Sequence, residues 1–278
     1  MEKRSVRLFD RRSVVHWWLF AVARNLLAES PREVLGITLR PAGGRLLEHV
    51  EKACGKSIIA RQTTLTTNMA EGGIRGDGTP VIEVSPNVTV TEELLVHELS
   101  HMKLQIEGFP KVFFRGSADV TSDDALLTWL RSNVLDVIQH RIFYPRLRRM
   151  GYAPDAARIA EIRLIIERGN FIDVSSVVDL ASKYFRIIME VANTKVISSV
   201  NKWYRERGWS DALAVANDAY SRVGAIVEWT PQTELEAFVA CANALLRGRY
   251  VIAFLGMESE RHGSVTQRYG DLVISRAG

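Results

Sequence analysis

Thr91-Glu92-Glu93-Leu94-Leu95-Val96-His97-Glu98-Leu99-Ser100-His101-Met102 is the stretch whose reading decides the fold of this chain. It carries the spacing HExxH. On a helix, residues four apart sit one turn apart on one face, so His97 and His101 can reach a single zinc ion. Glu98, beside the first histidine, stands where a carboxylate can take a proton from an attacking water. The start signals fit a helix. Thr89 and Glu92 have the capping-box spacing, Thr91 is an alternative N-cap, and Glu92 and Glu93 suit the positive end of the helix dipole. Leu94, Leu95, Val96, Leu99 and Met102 give the helix a broad apolar surface. The two histidines are therefore expected on a mostly buried helix rather than a loop.

A catalytic zinc commonly takes a third protein ligand and leaves the fourth position open. A second long helix supplies candidates. Ser122 or Asp123 can cap it, and Leu126, Leu127, Leu130, Val134, Val137 and Ile138 recur at helical spacing as far as Pro145. Asn133, Asp136 and His140 fall three and four apart on one face of it. Imidazole suits zinc, so His140 is the first choice and Asp136 the alternative, with the other serving as a hydrogen-bond partner to a ligand. A solvated polar stripe without a metal is the plain rival. Glu107 is a third candidate, although a helix continuing through Leu104 would carry it away from the ion. Tyr144, one turn beyond His140, either faces the site and steadies an oxyanion or packs in the core. His16, His49 and His262 have no partner at ligand spacing. They read as helix packing, part of a short helix over 45–53, and tail.

Glu83-Val84 followed by His97-Glu98-Leu99-Ser100-His101 resembles the zincin metallopeptidases. The order of short strand, active-site helix and second ligand-bearing helix looks like the gluzincin plan. The HEL-x-H form followed by a short apolar stretch is similar to the compact ImmA/IrrE-like group. The similarity spans roughly residues 35–150. Gluzincins carry a Glu-x-x-x-Asp that this chain lacks, with Asn133 and Asp136 in that neighbourhood instead. Metzincins place a third ligand where Glu107 stands, after a midway glycine that is Leu104 here, and no Met-turn is evident. The resemblance implies zinc-dependent hydrolysis of a peptide or protein substrate, in that group often the cutting of a regulatory protein. The rival from another class is a non-catalytic zinc-binding regulatory or interaction protein, with helices over 155–250 as its surface.

The composition sets the frame. With 278 residues, 47% hydrophobic and 24% charged, the chain can bury a sizeable core. The expected fold class is α+β, mostly α: a zincin-like region with a small sheet over 35–152, preceded by an N-terminal helix within 1–34 and followed by a helical C-terminal region over 153–278. A net charge of +4 permits an anionic partner without arguing for one. Arg141, Arg146, Arg148 and Arg149 read as a solvated helix face. No helix-turn-helix signature accompanies them, so nucleic acid ranks last among partners. Oligomeric state is not legible. Cys54 and Cys241 have no zinc-knuckle spacing, nothing supports a disulfide between them, and such sparse cysteine suits a reducing compartment. Residues 1–23 have the outline of a signal peptide, but Glu2, Asp10 and His16 interrupt it and Trp17 to Leu27 continue as a helix. The reading is therefore a cytoplasmic protein, with the signal peptide left open. No apolar stretch approaches the roughly 20 residues that cross a bilayer.

Between these landmarks, Pro41-Ala42-Gly43-Gly44 reads as a turn, Arg45 to Ala53 as a short helix and Ser57 to Leu65 as strand. Gly72 to Pro80 is turn-rich and leads into Val81 to Val84, expected as an edge strand. The glycines lack a following Gly-Lys-Ser/Thr, so they do not form a phosphate loop. In zinc peptidases such an edge lies beside the metal helix and can pair with an extended peptide. Helical spacing recurs in 155–168, 174–193, 196–206, 210–224 and 232–246. Tyr250 to Leu255 fits strand or helix.

Overall fold

Proline at the first helical position costs nothing, because its missing N–H would have no partner there. Pro41 accordingly opens helix α1, Pro41–Cys54. The segment 41–44, expected as a turn, is its first turn. The two glycines do not break it, because tertiary contact outweighs their poor propensity. A Cβ on Gly43 would lie 2.7 Å from the Tyr152 hydroxyl and 3.1 Å from Val96 Cγ2, so the close packing itself requires glycine. The computed structural model describes residues 31–65, 69–116, 123–169 and 176–277. The expected N-terminal helix and His16 lie outside the described residues.

The chain is α+β and mostly helical, with small sheets. After the two-stranded ribbon of β1 (Glu33–Val34) and β2 (Ile37–Thr38), the first larger sheet joins β3 (Ile59–Gln62), β4 (Ala70–Ile74) and β5 (Pro80–Val84) in the order β3-β5-β4. This corrects the expected edge. Val81, Ile82 and Val84 are buried, so both faces of β5 are covered and it takes the centre. It runs parallel to β3 and antiparallel to β4, and the glycine-containing β4 is the edge that packs on the HExxH helix, with β3 at the other edge.

Helix α2, Glu92–Ile106, carries the HExxH residues. Thr91 is its N-cap, accepting from the Leu94 amide at 3.2 Å. Leu95, Val96, Leu99 and Met102 are fully buried. After β6 (Lys111–Gly116), the expected long helix appears in three pieces: α3 (Asp124–Leu130), a π-turn (Arg131–Leu135) and α4 (Asp136–Arg149). Asp123 caps α3 through the Leu126 amide at 3.0 Å.

The expected C-terminal helices form as α5 (Ala156–Arg168), α6 (Val177–Glu190), α7 (Thr194–Glu206), α8 (Ser210–Gly224) and α9 (Pro231–Leu246). The region is not helical throughout. From residue 250 the chain is a hairpin of β7 (Tyr250–His262) and β8 (Val265–Arg276), and β8 pairs in parallel with β6. Val265, Gln267, Leu272 and Ile274 are buried on β8, and residues from both halves of the chain share one hydrophobic core. His262 is accordingly no tail residue. Its Nδ1 donates to the Arg75 carbonyl at 3.2 Å and its Nε2 accepts from the Tyr269 hydroxyl at 2.8 Å, which pins the hairpin tip to the β4–β5 turn. Cys54 and Cys241 are both buried and unbridged. Among the described residues no helix is long and apolar enough to cross a membrane.

Candidate metal centre

Three imidazoles converge where α2 meets α4. His97 and His101 project from successive turns of α2, and His140 meets them from α4. Each offers a ring nitrogen, and these nitrogens all lie within 4.8 Å of one another. The Nε2 atoms of His97 and His101 are 3.2 Å apart. Two nitrogens each about 2.1 Å from a tetrahedral zinc would be about 3.4 Å apart. Phe143 lies edge-on to all three rings, so an apolar wall closes one side of the cluster.

The hydrogen bonds around the cluster decide which nitrogens face inward. His140 Nδ1 lies 2.7 Å from Glu190 Oε1, at the end of α6. An ionised carboxylate only accepts, so Nδ1 carries the proton and Nε2 keeps its lone pair. That Nε2 is buried and has no hydrogen-bond partner. His101 Nδ1 lies 2.9 Å from Gln139 Oε1, and Gln139 Nε2 donates to Glu234 Oε1 of α9 at 2.9 Å. The amide oxygen accepts, so His101 also presents an unprotonated Nε2 inward. An orphaned, buried sp² nitrogen is the kind of atom a metal ion satisfies, and metal ligands of this type must be neutral.

The electrostatics agree. Burial lowers the pKa of His97 well below its ordinary value, and the neighbouring His140 and His101 add to that effect. Burial also lowers His140, against the opposing pull of Glu190. For Glu190 burial works toward a higher pKa, but His140, Arg186 and Arg158 outweigh it and hold the carboxyl at about 2. Arg186 Nε donates to the same Oε1 at 2.8 Å, and Arg148 donates to the Glu190 carbonyl at 2.8 Å.

Glu98 lies under the edge strand. Its carboxylate accepts from the Gly72 amide, and burial raises its pKa to about 7, with His101 opposing and Asp136 and Glu71 adding to the rise. A Cβ at Gly72 would come within 2.8 Å of the Glu98 Cβ and 3.0 Å of its Oε2. At Ile74 the outward edge of β4 is already engaged, the amide by Gln105 Oε1 at 3.2 Å and the carbonyl by Lys111 Nζ at 3.4 Å.

Asp136 is not in the nitrogen cluster. It starts α4 one turn before His140, close enough for its charge to act on both Glu98 and His140. The π-turn that precedes it shifts the face from which Asn133 projects, and Asn133 bonds instead to the Trp129 carbonyl at 3.1 Å. Glu107 ends α2 and pairs with Lys103 and Arg146, so it is spent on closing the helix rather than on the cluster. Tyr144 is buried and stacks on His140 with ring centroids 4.7 Å apart. Of the basic cluster, Arg146 pairs with Glu107 and Arg148 with Asp155, while Arg141 and Arg149 are exposed. Glu190, Gln139 and Glu234 escaped the sequence reading. Arg186 and Glu190 four apart look like any helix ion pair, and only tertiary packing brings them to His140.

Neither family models, nor curated proteins, nor solved structures give a match to this chain.

Proposed function

We propose that this protein is a zinc-dependent metallopeptidase of zincin-like plan, with His97, His101 and His140 as the zinc ligands and Glu98 as the general base. One observation carries the reading: three inward-facing imidazole nitrogens from two helices, with a buried carboxylate adjacent to the first ligand. The donor set suits zinc, which imidazole binds well, and leaves room for a fourth position. When bound, the ion supplies Lewis acidity, polarising a scissile carbonyl and the attacking water. Glu98 takes the proton of that water and later hands it to the departing amine. Gly72 brings the edge strand close enough to hold Glu98 by a backbone amide. An extended peptide would pair with β4 at Ala70 and the Gly72 carbonyl, since the Gly72 amide is held by Glu98 and the groups at Ile74 are engaged.

The rival is a metal-binding regulatory module without turnover. What favours it is the depth of Glu98, only 7% exposed and already hydrogen-bonded to Gly72. One experiment separates the two: zinc content of the purified chain alongside hydrolysis of a mixed peptide library, wild type against Glu98→Gln. Zinc with cleavage that Glu98→Gln abolishes supports the peptidase. Stoichiometric zinc with no cleavage supports the module, and cleavage retained by Glu98→Gln overturns the mechanism.

A further inference from the structure

Two carboxylates stand behind the metal-facing histidines, Glu190 directly on His140 and Glu234 through Gln139, and both come from the C-terminal helices. Glu190 ends α6 and lies 50 residues from His140; Glu234 stands in the first turn of α9, 95 residues from the Gln139 it holds. Glu190 is the stronger of these groups. It is 2% exposed, and its Oε1 receives both His140 Nδ1 and Arg186 Nε, while Arg158 Nε lies 3.4 Å from its Oε2. A buried carboxylate surrounded by two guanidinium groups stays charged and can only accept. It therefore dictates the tautomer of the one histidine it touches. The alternative tautomer would put the proton on Nε2, where it would block the inward lone pair.

We propose that Glu190 is a positioning residue for the metal centre, fixing His140 as the Nδ1–H tautomer, so that the C-terminal half of the chain is an integral part of the site. This rests on the reading of His140 as a metal ligand. The consequence is mechanical as well as chemical. α6 must be docked for His140 to present Nε2, so metal uptake and docking of the C-terminal helices stabilise one another. Arg186 and Arg158 serve the same end by keeping the carboxylate ionised in a buried place.

The test uses the full chain. Zinc affinity is measured by chelator competition for wild type and Glu190→Gln, and the His140 ring nitrogens are assigned by long-range ¹H–¹⁵N correlation in the metal-free protein. In Glu190→Gln one oxygen becomes an NH₂ group, which either donates toward His140 or faces an arginine, and the fixed negative charge is lost. The expected result is about 10–100-fold weaker zinc binding in Glu190→Gln and a protonated Nδ1 on His140 in the wild type. Equal affinity in the two proteins, or an Nε2–H tautomer in the wild type, overturns the proposal. The tautomer measurement needs no variant, so it decides the matter even if Glu190→Gln does not fold. A wild type that takes up no zinc overturns the metal reading beneath it and the proposal together. Zinc binding without peptide hydrolysis leaves the proposal supported and overturns the peptidase reading alone.

Discussion

A Cβ built on Gly72 would stand 2.8 Å from both the Cβ and the carbonyl oxygen of Glu98. No real side chain tolerates that approach, so the edge strand and the helix can meet only because residue 72 has none. The contact also places the Gly72 amide on the Glu98 carboxylate. It thus joins the packing of β4 on α2 to the orientation of the candidate base. Gly72→Ala should therefore push β4 off α2, lowering stability by about 1–3 kcal/mol, and should reduce turnover more than zinc content. Thermal melts and metal analysis on the same preparation check this; a variant with unchanged melting and unchanged rate would contradict it.

Glu98→Gln keeps the shape of the side chain and removes its basicity. Zinc content should stay near wild type while hydrolysis falls by about 10²–10⁴-fold. Steady-state rates at matched zinc loading measure it.

The third ligand is tested by contrast. His140→Ala should lose most zinc affinity, whereas Asp136→Asn, outside the nitrogen cluster, should keep it. His140→Ala should also cost about 2 kcal/mol of stability, because the buried Glu190 carboxylate loses the hydrogen bond it accepts from His140. Loss of zinc in Asp136→Asn with retention in His140→Ala would reverse the assignment.

Glu234 gives a pH signature. It is fully buried, burial raises its pKa to about 8 against the opposing hydrogen bond from Gln139, and its Oε2 has no partner. Its folded pKa exceeds the ordinary carboxyl value of 4.5, so the folded state holds this proton more tightly than the unfolded state. The stabilisation is complete below the unfolded pKa and is lost as pH rises toward 8, with a slope of at most about 1.4 kcal/mol per pH unit. Glu234→Gln stays neutral throughout. Its stability relative to wild type should therefore improve between pH 5 and 8, as read from urea unfolding of the metal-free proteins. A constant difference across that range would show that Glu234 is ionised in the fold.

How much of this was legible depended on range. The α2 site residues are four apart on one helix, so helical geometry alone set His97 above His101. The candidate pairing with His140 rested on chemical preference among three polar residues on a second helix. The edge strand was misread because the glycine-containing segment 72–74 looks like loop. Its strand character comes from pairing with β5, with Gly72 opposite Ile82, and not from local propensity.

By itself the sequence determined the HExxH helix with its two histidines and most of the C-terminal helical runs, because 3.6-residue periodicity and capping are properties of neighbouring residues. The tertiary structure alone decided that β5 is central and that residues 250–276 return as a hairpin beside β6. It also decided that Glu190 and Glu234 stand behind the histidines. The place of β5 depends on burial of both its faces, and the other outcomes on contacts between residues 50 to about 160 positions apart, which leave no periodic trace in the chain.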